Sequence, residues 1–280
     1  MTSRTPPVVL SIAGSDSGGG AGIQADLRTF AALCVFGTTA VTAVTAQNTT
    51  GVRRVDVLPP EAVTAQVMAV LDDLPVAAVK TGMLADAGTV DAVAGMAAAE
   101  RLPNLVVDPV MVASSGAVLA SDDVVAAYRR RLLHLATVVT PNVAEAAVLA
   151  DVTGAAAADQ TVLARILGER TGATVVVTGG HAGGPRCADV VWHAGEIQVL
   201  ARPRLATGNT HGSGCTFAAA VTAGLATGAG VLEAVQAAGE FVHAALRSGS
   251  SWRLGAGPGP LDHFGWSRPE VGTGPAGTEA

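Results

Sequence analysis

Lysine occurs once in this sequence of 280 residues, at position 80, where Val79 precedes it. The glycine–lysine phosphate loop G-x-x-x-x-G-K-[ST] is therefore excluded, and so is the protein-kinase pairing of a lysine with a catalytic loop. The dinucleotide fingerprint G-x-G-x-x-G also fails, because its third glycine, counted from Gly18, falls on Ile23. Charge is sparse, at 14% of residues, and the formal net charge is −6. The run Arg129-Arg130-Arg131 reads as a solvated helix face, so nucleic acid is not an expected partner. Cysteine appears only at 34, 187 and 215, an odd number without a C-x-x-C pair. That excludes a disulfide framework and a structural zinc site, and fits a reducing, cytoplasmic setting. The first residues lack the apolar core of a signal peptide. Segments 29–52 and 205–232 carry no Asp, Glu, Lys or Arg, yet Gly, Thr, Asn or Gln interrupt both, so they read as buried soluble elements.

What remains is apolar and small: 49% hydrophobic residues, with 34 glycines. Such a chain can bury a sizeable core. Short apolar runs at 8–13, 38–47, 76–80, 105–108, 136–140 and 174–177 read as strands. Helical segments are expected near 23–36, 61–73, 86–101, 122–133 and 161–170, with another beginning at Pro141-Asn142 and carrying Glu145. A hairpin is expected around Ala194-Gly195, followed by helices near 214–225 and 231–247. This alternation predicts an α/β fold with a mainly parallel sheet. One domain is expected over 8–264, with a flexible start at 1–7 and a disordered tail at 265–280. In open parallel sheets ligands collect beyond the carboxyl ends of the strands. Most of the segments expected there contain a polar or glycine residue.

The most pointed stretch runs from 207 to 216, TGNTHGSGCT, into an alanine-rich helix. Gly212 and Gly214 permit a tight turn, leaving the first helical amides without intrahelical acceptors. Those donors and the positive end of the helix dipole suit a phosphate. Cys215 lies in the same field, which is expected to favour its thiolate. Anion site plus ionisable group points to phosphoryl transfer, with the thiol taking a hydroxyl proton. The plainer reading is a buried cysteine on a small-residue helix.

Taken with AGSDSGGGAGIQAD at 13–26, TAVTAQNT at 42–49, GMLA at 82–85, DPVM at 108–111, TPNVAEA at 140–146 and GGH at 179–181, the chain resembles the hydroxymethylpyrimidine/phosphomethylpyrimidine kinases of thiamine biosynthesis. These lie within the ribokinase-like superfamily. The resemblance implies a three-layer αβα sandwich and ATP- and Mg2+-dependent phosphorylation of 4-amino-5-hydroxymethyl-2-methylpyrimidine, then of its monophosphate. By the same resemblance Asp26 and Gln47 hydrogen-bond the aminopyrimidine, and Gly14, Met83 and Val110 complete its pocket. Cys215 is the implied base, with Gly212, Ser213 and Gly214 stabilising the transferring phosphoryl group. Asn142, Thr178, Gly180 and Thr210 are assigned to the nucleotide, and Asp108 and Glu145 to the metal. A homodimer is the implied assembly.

Two positions depart from the family pattern. Thr178 stands where many members have lysine, and the family's Gly-His-Gly turn reads Gly255-Ala256-Gly257. His263 is assigned a structural role. Without the resemblance, Met83 reads as core filling and Glu145 as a helix-surface carboxylate. A pyridoxal or pyridoxine kinase is the nearest alternative, and a non-catalytic pyrimidine-binding regulator is the alternative from another class.

Overall fold

The protein, seen in a computed structural model, is described over residues 5–112, 120–180 and 184–267. His181 and tail residues 268–280 lie outside that range. Nine strands form one sheet in the order β3-β2-β1-β4-β5-β6-β7-β8-β9. They are β1 (Val8–Asp16), β2 (Phe36–Asn48), β3 (Gly51–Val57), β4 (Val76–Thr81), β5 (Val106–Val107), β6 (Val138–Val139), β7 (Thr174–Val177), β8 (Arg186–His193) and β9 (Glu196–Pro203). The run from β2 to β7 pairs in parallel, while β3, β8 and β9 pair antiparallel.

Alternation along the strands sorts side chains into two cores. Val9, Ala78, Val106, Val138 and Val176 face one layer, with Phe30 of α1 (Gly22–Ala32), α7 (Ser213–Ala226) and α8 (Val231–Ser248). Their neighbours Leu10, Val79, Val107, Val139 and Val177 face the other. That layer comprises α2 (Pro60–Leu71), α3 (Ala87–Ala98), α4 (Asp122–Ala127), α5 (Val143–Ala150) and α6 (Gln160–Thr171). The result is the expected αβα sandwich. Near-continuous valine in the middle strands is what burial on both faces demands.

Three local expectations need correction. The first helix stops at Ala32, short of residue 36, because Cys34 adopts φ 59° and Val35 N–H turns back to Phe30 O at 3.0 Å. The helix expected to run to 133 gives way at Tyr128 to a π-helical turn and then a 3₁₀ turn. Residues 265–267, expected within the tail, are tied down, since the Trp266 and Ser267 amides donate to Asp262 at 3.1 and 3.0 Å. Strand β3 escaped the sequence reading altogether. Its Arg53, Arg54 and Asp56 are exposed, which hides an edge strand's apolar pattern.

Helix α3 is fixed at its start by Asp86, whose carboxylate accepts from the Gly88 and Thr89 amides at 2.7 and 3.2 Å. Asp86→Ala is expected to lower stability by about 1 kcal/mol, read from urea midpoints at unchanged m-value.

Candidate functional site

Strand ends β1, β4, β5, β6 and β7 open toward one edge of the sheet, and the N-terminus of α7 meets them there. Gly212 holds φ 82° just before α7, and a Cβ on it would lie 1.9 Å from Gly20 O. Only glycine fits that approach. Ser213 N–H donates to Thr210 O at 3.1 Å, and the first full helical bond runs from Thr216 N–H to Gly212 O at 2.8 Å. The amides of Gly214 and Cys215 thus precede the helical ladder and remain available to an anion.

Beneath this turn sits the lone lysine. Lys80 is wholly buried, and its Nζ lies 3.0 and 2.9 Å from the two oxygens of Asp26. Asp108 Oδ2 is 3.9 Å away. Burial by itself would lower the Lys80 pKa. The negative charge of Asp26, with that of Asp108, outweighs it and keeps the ammonium protonated. Asp26 also accepts from Ser11 Oγ at 2.6 Å and is fully buried. Both oxygens of Asp26, expected to meet the pyrimidine, are engaged by Lys80 and Ser11 inside the protein.

Cys215 needs correction. The helix terminus was expected to favour its thiolate, yet its pKa is pushed up to about 12. Burial is the largest cause, and the charges of Asp108 and Asp26 add to it. Lys80 and a hydrogen bond from the Gly22 amide oppose without prevailing. The resting group is a thiol.

Two further carboxylates share the pocket. Asp108 is raised to about 6 and Glu145 to about 7, each by burial first. Lys80 opposes the shift at Asp108, and the charge of Asp108 adds to that at Glu145. Asp108 Oδ2 is buried without a hydrogen-bond partner. Glu145 accepts from the Asn142 amide at 2.9 Å and the Met111 amide at 3.3 Å. Asn142 caps α5 in return, its Oδ1 accepting from Glu145 N–H at 3.0 Å. The N-x-x-E spacing is thus a capping box as well as a carboxylate site. Among the described residues no group of three or more His, Cys, Asp or Glu could hold a metal ion.

The remaining predicted residues fall into three places. Gly14 packs against Met83, where an added Cβ would lie 2.5 Å from the methionine Cε, and Thr42 Oγ1 donates to Met83 O at 2.6 Å. Met83 is buried, while Val110 is half-buried in the loop that follows Asp108. Gln47 approaches His211 from the end of β2, with side-chain nitrogens 3.3 Å apart. Thr178 N–H donates to Pro141 O at 2.9 Å, which sets it beside Asn142. Gly180 O accepts from Arg204 at 2.9 Å. Thr210 is exposed at the mouth of the α7 turn. His263, assigned a structural role, bonds Thr216 Oγ1 at 2.9 Å within the core.

Sequence reasoning passed over Lys80 and His211 as site residues. Scarcity was the signal for Lys80: one lysine, inside an apolar strand. A separate cavity of about 650 Å3 lies between Arg28 and Arg53 and the aromatic group Trp252, Phe264 and Trp266, and none of the predicted site residues lines it.

Comparison with known proteins bears on this arrangement. The sequence profile of the family described as phosphomethylpyrimidine kinase matches residues 16–262. A hydroxymethylpyrimidine/phosphomethylpyrimidine kinase from Synechococcus elongatus is 50% identical over 259 residues, covering 92% of this chain and 97% of the relative. Among solved structures, the ADP complex of Bacillus subtilis pyridoxal kinase gives a TM-score of 0.84 at 38% identity, covering 92% of this chain and 97% of that one. The phosphomethylpyrimidine kinase of Clostridium difficile gives 0.74 at 33% identity, covering 85% and 98%.

Removing Lys80 leaves Asp26 buried without its cationic partner. Lys80→Met is expected to cost about 3–5 kcal/mol in chemical denaturation, and Lys80→Met with Asp26→Leu to recover most of it. The raised carboxylates set a pH dependence. Between the ordinary values of 3.8 and 4.5 and the folded values of about 6 and about 7, the native state holds more protons than the unfolded chain. Stability from these groups is therefore present at low pH and lost as pH rises through about 6 to about 7. Glu145→Gln is expected to flatten that slope in urea midpoints measured from about pH 5 to about pH 8.

Proposed function

The chain belongs to the phosphomethylpyrimidine kinase family, and we propose that it transfers phosphate from ATP to the hydroxymethyl group of 4-amino-5-hydroxymethyl-2-methylpyrimidine and then to the resulting monophosphate. The kinase unit spans 8–264 and works as a homodimer in the cytoplasm. The observation that carries this reading is the α7 N-terminus, with its unengaged amides, meeting Cys215, Lys80 and Asp108 at the carboxyl edge of the sheet.

The hydroxyl oxygen of the pyrimidine attacks the γ-phosphorus, the bond to ADP breaks, and the hydroxyl proton passes through an oxygen of the transferred phosphoryl group to water. In a loose transition state such a reaction asks mainly for positioning and charge stabilisation. The amides of Gly212, Gly214 and Cys215 supply it to the phosphoryl oxygens, while the Ser213 amide, also expected there, is held by Thr210 O. With its pKa at about 12, Cys215 serves as a hydrogen-bonding group that holds the hydroxyl in line rather than as a thiolate base. Gln47, Gly14, Met83 and Val110 form the pyrimidine pocket. Asn142, Thr178, Gly180 and Thr210 hold the nucleotide, with Arg204 bracing the loop below Gly180.

Mg2+ fits the donor set. Asp108 offers a buried oxygen without a partner, and two carboxylates suit an ion that keeps several waters and shares the nucleotide phosphates. Asp108 and Glu145 would hold it, and it would neutralise phosphate charge where Thr178 provides none. Pyridoxal kinase activity is the second reading, favoured by the TM-score of 0.84 to the Bacillus subtilis enzyme. The 50% identity along nearly the whole chain favours the pyrimidine.

Mass spectrometry of products decides between them. With Mg-ATP, both the pyrimidine alcohol and its monophosphate are expected to gain phosphate, and pyridoxal to be a poor substrate; preference for pyridoxal overturns the pyrimidine assignment. Cys215→Ala is expected to lower kcat about 10- to 100-fold with little change in pyrimidine KM. A loss of about 10⁴-fold would restore the thiolate-base reading.

A further inference from the structure

At the end of β1 the carboxylate of Asp16 is a hub. Its Oδ1 accepts from the Gly18 amide at 2.8 Å, and its Oδ2 from the Gly20 and Ala21 amides at 3.0 and 2.9 Å. The Asp16 Oδ2 also lies 3.0 Å from His211 Nε2. Burial works against ionisation here, but the hydrogen bonds from His211, Ala21 and Gly18 prevail and hold the carboxyl below its ordinary value. Asp16 is therefore an acceptor only, so the proton on the ring must sit on Nε2 and point at it.

That assignment constrains Gln47, whose side-chain amide lies 3.3 Å from the same Nε2. A ring nitrogen that carries a proton offers Gln47 no lone pair. The amide orientation that avoids donor facing donor turns Gln47 Oε1 toward the ring and its NH2 group away from it. No other side-chain hydrogen bond of Gln47 is found among the described residues, so those N–H donors are left for a ligand. The ring itself is clamped. Its backbone N–H donates to Gly259 O at 3.0 Å, and it packs so close to Gly20 that a Cβ there would lie 2.2 Å from the ring Cδ2.

We propose that His211 is a positioning residue for substrate specificity: held by Asp16, it orients the Gln47 amide so that Gln47 donates to an acceptor atom on the edge of the substrate ring. This rests on the reading that Gln47 faces the pyrimidine. A ring nitrogen supplies such an acceptor, whereas a flat ring with only donors or carbon on that edge leaves the amide unpaired and binds poorly.

A double-mutant cycle tests the relay. Gln47→Ala and His211→Leu are each expected to raise the pyrimidine KM about 10-fold, with KM for Mg-ATP within about 2-fold and the combined variant no worse than Gln47→Ala. His211→Gln keeps an N–H that can reach Asp16 and is expected to restore KM to within about 3-fold. Additive effects, or equal losses for Leu and Gln at 211, overturn the relay. A raised KM for Gln47→Ala beside an unchanged one for His211→Leu overturns the relay alone. An unchanged KM for Gln47→Ala overturns the parent reading with it. Should His211→Leu fail to fold, nitrogen-15 NMR of the unaltered protein decides. The expected result is the Nε2-protonated tautomer, with its resonance moving when the pyrimidine alcohol is added; the Nδ1-protonated form overturns the proposal.

Discussion

A buried ammonium between carboxylates organises this molecule. Lys80 reaches from β4 to Asp26 on α1, and Asp108 and Cys215 stand around the same charge. A buried ion pair is poor evidence for stability, since desolvation can exceed the attraction gained. Its place here, directly under the start of α7, indicates what it does instead. In the proposed reaction it places a buried ammonium, paired with Asp26, below the turn that would receive phosphate, without a flexible side chain reaching in from solvent. Other nucleotide folds meet that need with a lysine inside the phosphate loop.

The same pair bears on how neighbouring groups titrate. Burial raises Asp26, Asp108 and Glu145, the one cation opposes the shift only at Asp26 and Asp108, and Asp108 retains an oxygen without a hydrogen-bond partner. Cys215 is half-buried beside those charges, and the helix terminus does not ionise it. An excess of sealed negative charge is a fitting environment for a divalent ion. It is an unfavourable one for a thiolate.

Much of the architecture could be read from the chain because it depends on local pattern. Two-sided valine strands and the glycine-broken entry to α7 both leave marks within a few residues. The strand ends that carry the site follow from the parallel sheet. What stayed hidden was long-range. Asp26 and Lys80 are 54 residues apart, and nothing near either names the other. The field at Cys215 was judged from its own helix, while the deciding charges stand on other elements. Asn142 and Glu145 were read as ligands, and their mutual capping became visible only once the helix start was in view.

The single lysine also determines how the protein meets amine-directed chemistry. Every other cationic side chain is arginine or histidine, so the only side-chain amine is enclosed at 0% exposure. Acylating reagents, amine cross-linkers and lysine-modifying enzymes find no lysine on the folded surface. Apart from the α-amino group, the polypeptide takes such a label only when the sheet opens around β4. Labelling of Lys80 therefore records the opening of the core, with the chain serving as its own probe.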